Sequence, residues 1–176
     1  MRGRDEMSSD EKSDRAKLMQ LKIGLFGKRS SGKSALINVL LGEDEADVSE
    51  TTEPTYKAMD IQGIGAVTIV DTAGLDGSDK RVKKTQAAAE EIDVALMLIA
   101  NDSMELELAW INRLNRAGTK VIPIVSQIDK WPDEGRLLAA AVSEASGKNP
   151  IRVSAKQKIG IDELRSEIIK LIRNAE

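Results

Sequence analysis

At 176 residues the chain is sized for one domain, and 41% of it is hydrophobic although aromatics are only 2%, so its core must be aliphatic. With neither Cys nor His, disulfides, cysteine-held zinc or iron–sulfur clusters and histidine base catalysis are excluded within these residues. A formal net charge of -3, no bilayer-length apolar run and no visible signal peptide lead to the expectation of a cytoplasmic protein without a membrane or nucleic-acid partner.

Residues 1–17 interleave acidic, basic and serine residues with little bulky apolar content, which reads as a charged N-terminal tail or a short helix. Leu21, Ile23, Leu25 and Phe26 form a short apolar run expected to be a buried strand. It leads into Gly27-Lys28-Arg29-Ser30-Ser31-Gly32-Lys33-Ser34, the G-x4-G-K-S pattern of a phosphate-binding loop. Ala35, Leu36, Val39 and Leu40 then recur at helical spacing, and Gly42 is placed to end that helix. In such a loop the backbone N–H groups and the helix start attract phosphate, Lys33 reaches the β- and γ-phosphates, and the Ser34 hydroxyl is a ligand for Mg2+.

Glu43 to Thr55 is polar, acidic and without periodicity, as a loop that responds to the terminal phosphate would be. Thr51, or its neighbour Thr52, is the candidate to complete the Mg2+ shell, against the alternative of an ordinary acidic loop. Tyr56 to Ile61 and Ala66 to Val70 read as a hairpin through Gly63 and Gly65. The second strand runs into Asp71-Thr72-Ala73-Gly74, where Asp71 is suited to hold Mg2+ through water and the Gly74 N–H to approach a γ-phosphate. Leu75 to Lys80 reads as a second flexible segment before a helix from about Arg81 to Ile92, whose start carries Arg81, Lys83 and Lys84 as a solvated face or a docking surface.

Val94 to Ala100 is continuously apolar, as a strand buried on both faces should be. A helix is expected over Met104 to Ala117, with Leu106, Ala109, Trp110, Arg113 and Leu114 at helical spacing and Gly118 to stop it. Trp110 reads as core or partly covered surface rather than a base-stacking platform. Lys120 to Val125 is a strand ending in Ser126-Gln127-Ile128-Asp129; a helix follows over Glu134 to Ser146, ended by Gly147. Ile151 to Val153 is a last short strand, ending in Ser154-Ala155-Lys156 before an amphipathic helix over Ile161 to Arg173 with Leu164, Ile168, Leu171 and Ile172 inward.

Strands alternating with helices imply an α/β three-layer sandwich: a mostly parallel six-stranded sheet with one antiparallel strand from the hairpin, covered on both faces. Every candidate site lies where a strand ends, the rim at which open α/β sheets bind ligands. A buried carboxylate at Asp129 can accept from N1–H and the 2-amino group of guanine, neither of which adenine offers, and the Ala155 N–H could meet the guanine carbonyl oxygen. Residues 18–176 thus read as a GTP-binding domain that takes GTP or GDP with Mg2+ and, with Leu75 where a water-orienting Gln could stand, hydrolyses GTP slowly.

In the order and spacing of Gly27–Ser34, Thr51, Asp71–Gly74, Asp129 and Ser154–Lys156, the chain resembles the translation-factor-like P-loop GTPases of the TrmE–Era group. Glu53 to Met59, Asp71 to Asp76 and Arg81 to Thr85 make it most similar, within that group, to the GTPase domain of HydF proteins, which mature FeFe-hydrogenase. That resemblance implies a switch regulating assembly of the hydrogenase cofactor, partnered by further domains of the same protein and by hydrogenase-maturation proteins, and a homodimer through domains not seen here. The alternatives are a GTPase of tRNA or ribosome maturation and a nucleotide-binding interaction module with little hydrolysis. The resemblance also exposes departures. Ser126-Gln127 replaces the usual Asn-Lys; Ser126 is expected to be too short to tie the base site to the phosphate loop, and Gln127 to cover a base only in part, so guanine preference is retained with weaker affinity. Ser30 stands where potassium-using relatives place Asn, and Ser49-Glu50-Thr51 where Gly-Thr-Thr is expected.

Overall fold

The computed structural model describes residues 21–42, 54–61 and 65–174. Thr51, Thr52, Ser49, Glu50 and Gly63, together with the boundary expected after residue 17, lie outside them. Among the described residues six strands form one sheet in the order β2-β3-β1-β4-β5-β6. β1 (Lys22–Phe26), β3 (Gly65–Asp71), β4 (Val94–Ile99), β5 (Lys120–Val125) and β6 (Ile151–Arg152) pair in parallel, while β2 (Thr55–Ile61) runs antiparallel to β3. The expected three-layer sandwich is therefore the fold.

Alternation along the strands sends successive side chains to opposite faces. Ile23 and Leu25 of β1, with Val67 and Ile69 of β3 and Leu96 and Leu98 of β4, pack under α1 (Lys33–Leu41) and α5 (Ile161–Arg173). Phe26, Val70, Ala95, Met97 and Ile99 pack on the other face under α2 (Asp79–Ala89), α3 (Glu105–Arg116) and α4 (Arg136–Ser146). β4 is buried along its whole length, as its unbroken apolar run requires of a central strand. α1 ends where Gly42 turns left-handed and donates its N–H to the carbonyls of Asn38 and Val39.

Three boundaries differ from the sequence reading by two residues or more. α2 begins two residues early, because extended Ser78 caps it and accepts the Val82 N–H. It also ends at Ala89, leaving Ile92 in the connection where it still packs into the core. α4 starts at Arg136 instead of Glu134, since Glu134 and Gly135 are both left-handed and Asp133 accepts the N–H groups of Gly135 and Leu137. On α3 the buried stripe is Glu107, Trp110, Ile111 and Leu114, whereas Ala109 and Arg113 face outward. Trp110 is core, tilted against Phe26 at 5.9 Å and overlaid by the Arg113 guanidinium.

Candidate functional site

The loop from Gly27 to Gly32 leaves the carboxyl end of β1 and enters α1, whose first turn carries Lys33 and Ser34 and no acid. Five of its carbonyls are held by named donors. The Lys33 ammonium donates to the carbonyls of Gly27 (3.0 Å) and Lys28 (3.1 Å). Gly27 also accepts the Leu75 N–H, and Gly32 accepts the Leu36 N–H. The carbonyls of Ser30 and Ser31 receive side chains from the end of β5. Because a trans peptide sets its N–H opposite its C=O, carbonyls pinned on one side aim the following amides the other way, the arrangement that binds anions. Gly27 has no room for a side chain: a Cβ there would lie 2.5 Å from the Ser31 hydroxyl and 3.0 Å from the Leu98 carbonyl. Ser30 adopts a left-handed backbone with φ 61° and Gly32 follows at φ 97°, so the loop curls back on itself before the helix.

On one flank stands the segment after β3. Parallel register sets Asp71 beside Leu25, two residues before the loop, and Oδ1 of Asp71 is buried. Thr72 is anchored by its hydroxyl, which donates to the Leu25 carbonyl at 2.6 Å. Gly74 then passes so close that a Cβ would meet the Arg29 backbone nitrogen at 2.9 Å. The stretch read as flexible is held in a defined turn here. Leu75 is buried, Gly77 donates to the Gly74 carbonyl, and Oδ1 of Asp76 accepts the Arg29 N–H at 2.8 Å.

On the other flank, Gly32, Ala35, Leu98, Gln127, Asp129, Ala155 and Lys156 are among the residues lining a cavity of about 130 Å³. Ser154 is fully buried; its hydroxyl donates to Oδ1 of Asp129 at 2.8 Å and accepts the Gln157 N–H. That bond fixes the orientation of the Asp129 carboxylate, which is half-buried rather than enclosed. The expectation that Ser126 is too short to reach the phosphate loop is wrong. Its hydroxyl donates to the Ser31 carbonyl at 2.7 Å, because the end of β5 runs directly alongside the loop. The Gln127 amide adds a second tie, to the Ser30 carbonyl at 3.0 Å, and its side chain lies beside Gly32.

Two contributors escaped the sequence reading. Glu107, only 2% exposed, pairs with the Lys28 ammonium at 3.1 Å, and Lys28 also donates to the Ser103 carbonyl. Burial pushes the Glu107 carboxyl above its ordinary value, with Lys28 opposing the rise. The available signal was an acid three residues before Trp110 and four before Ile111, on the stripe that α3 buries. Asp76 is the second; its place two residues beyond Gly74 was visible, its contact with the loop was not.

A loop of outward-turned carbonyls, opening onto a helix start at the carboxyl edge of a parallel sheet, defines a nucleotide-binding protein of the P-loop class. Residues 22–128, more than half of the chain, match the family described as 50S ribosome-binding GTPase, and the chain belongs to that family. It is 32% identical over 164 residues to the tRNA modification GTPase MnmE of Chlorobium phaeobacteroides, covering 86% of this chain and 34% of that protein. It is 28% identical over 177 residues to GTPase Der of Wolinella succinogenes, covering 88% of this chain and 36% of that one. The chain thus spans about a third of the length of these curated relatives. In fold it is similar to an Aquifex aeolicus Era variant bound to GDP.AlF4-, with a TM-score of 0.72 and 24% identity over 85% of this chain and 56% of that one.

Proposed function

We propose that this chain binds guanine nucleotide with Mg2+ across the two flanks of its phosphate loop and hydrolyses GTP slowly, as a switch. The observation that carries the reading is the cavity in which Asp129, held by Ser154, stands beside Gly32 and Ala35 of the loop and helix start. Asp129 would accept from N1–H and the 2-amino group of guanine, the Ala155 N–H would donate to its carbonyl oxygen, and Gln127 and Lys156 would flank the ring. Lys28, Ser30 and Gly32 would contribute amides that cradle the phosphates, continued into the helix start by Lys33, Ser34 and Ala35, and the Arg29 and Ser31 amides would join them on leaving Asp76 and the Lys28 carbonyl.

The donors present fit Mg2+: the Ser34 hydroxyl and the Asp71 carboxylate are hard oxygen ligands at one sheet edge, and no cluster of three acids forms a competing cage among the described residues. Thr51 would complete that shell. Bound there, the ion would neutralise charge on the terminal phosphates. Lys33 and the Gly74 N–H would stabilise the charge that develops as the γ-phosphate leaves. Leu75 is buried and cannot orient water, so turnover is set near or below about 10⁻² s⁻¹.

For the cellular role, membership of the 50S ribosome-binding GTPase family and similarity to tRNA modification GTPase MnmE support a GTPase of tRNA or ribosome maturation. Regulation of FeFe-hydrogenase cofactor assembly is the second reading. It rests on the HydF-like stretches, one of which, Asp71 to Asp76, folds directly onto the phosphate loop. Further domains of a longer protein and a homodimer through them belong to both readings. No helix among the described residues is long and apolar enough to cross a membrane.

Calorimetric titration with GDP and ADP, and phosphate release by the wild type and Lys33→Ala, test the proposal. GDP should bind and ADP should not, and Lys33→Ala should lose binding and turnover. Equal affinities would defeat the role of Asp129, and a fully active Lys33→Ala would refute the scheme. Nucleotide binding without phosphate release would leave an interaction module.

A further inference from the structure

The loop presents its amides to anions, yet one of them already holds one. The Arg29 N–H donates to Oδ1 of Asp76 at 2.8 Å, and the second carboxylate oxygen lies 3.7 Å from Nε of the Arg29 side chain. The contact is built from several directions. Gly74 closes against the Arg29 backbone, Leu75 is anchored by its N–H on the Gly27 carbonyl, and Gly77 turns back onto Gly74. The Lys28 carbonyl, which shares its peptide with the Arg29 N–H, is drawn toward Lys33 and Ser31, which aims that N–H away from them and toward Asp76.

Arg29 lies four residues before the helix start. The helix N-terminus takes the inner phosphates, and the Ser34 hydroxyl there takes Mg2+. The amide at Arg29, facing Gly74, is therefore on the side of the terminal phosphate. Two anions cannot share one N–H, and carboxylate and phosphate brought within a few ångströms repel. We propose that Asp76 is a specificity determinant that sets the balance between nucleoside diphosphate and triphosphate: its carboxylate occupies the amide the terminal phosphate needs, so that only the triphosphate must displace it. The inference rests on the guanine-nucleotide reading above and adds a residue to it. Its consequence is a resting preference for the diphosphate, and release of the Asp76 carboxylate from the Arg29 amide when the triphosphate enters, with Gly74 kept against the loop.

The test is titration of the chain, with Mg2+, by GDP and by a non-hydrolysable GTP analogue. Asp76→Asn keeps the shape and an acceptor oxygen but removes the charge. It is expected to tighten the analogue about tenfold, equivalent to about 1.4 kcal/mol, and to change GDP less than twofold. Asp76→Ser carries the same expectation should the first variant not fold. Equal changes for both nucleotides, no change, or a weaker analogue would overturn the inference. A wild type that binds neither nucleotide would instead overturn the reading on which it rests.

Discussion

Ser126→Ala removes one hydroxyl from a buried position and should be read mainly in nucleotide affinity. Ser126 is 4% exposed and its Oγ donates to the Ser31 carbonyl at 2.7 Å, with a longer approach of 3.5 Å to the Ile99 carbonyl. Alanine leaves the Ser31 carbonyl without that donor. A buried acceptor stripped of its partner costs about 1–3 kcal/mol, more than the net worth of the bond itself, because water cannot replace it. Ser31 sits in the loop and Ser126 at the end of a central strand, so the loop carries most of the relaxation. If the nucleotide must restore the loop, about 1.4 kcal/mol of that penalty appears as a tenfold loss of GDP affinity. Calorimetric titration of wild type, Ser126→Ala and Ser126→Thr, with thermal unfolding of each, separates the effects. Thr keeps the donor and should bind GDP within about threefold of wild type. A Ser126→Ala variant with lowered Tm and unchanged GDP affinity would refute the reasoning, since the bond would then serve stability alone.

Other outcomes follow from the same geometry. The Glu107 carboxyl is held above its ordinary value, so its contribution to stability is fully present below the unfolded value of 4.5 and is lost as pH rises through the folded one. Glu107→Gln should accordingly gain stability relative to wild type as pH rises across that window, while freeing Lys28 and weakening GDP binding at pH 7; urea unfolding at several pH values checks the first and titration the second. A stability difference that does not vary with pH would remove the burial argument. Gly160 is left-handed at φ 77°, and a Cβ there would lie 2.0 Å from the Arg152 carbonyl, so Gly160→Ala should destabilise by about 3 kcal/mol in urea unfolding. A loss under about 1 kcal/mol would mean that the turn before α5 yields easily.

What could be read from the chain beforehand was whatever depends on neighbours in sequence. The apolar run Val94 to Ala100, the helix from Ile161 to Arg173 and the Gly42 stop report local periodicity and backbone preference, and they appear in the structure within a residue of where they are expected. The reach of Ser126 is not legible in its size, because it depends on how closely the end of β5 passes the loop, a distance set by packing across 95 positions of sequence separation. The Arg29–Asp76 contact spans 47 positions, and Lys28–Glu107 similarly joins elements with no common local pattern. On α3 the burial of Glu107 reverses what charge alone leads one to expect, and the outward placement of Arg113 takes it off the stripe its spacing suggests. An ion pair with the loop and a cation over Trp110 account for the exchange.

The lashings at the carbonyls of Gly27, Lys28, Ser30, Ser31 and Gly32 have a thermodynamic corollary. A hoop braced at so many points keeps its curvature whatever it holds, so the entropy of shaping it is lost once, during folding, rather than at each encounter. Exchange of one guest for another would then be governed by how tightly the guest is gripped, and by the single acidic side chain already leaning in, instead of by rebuilding the rim.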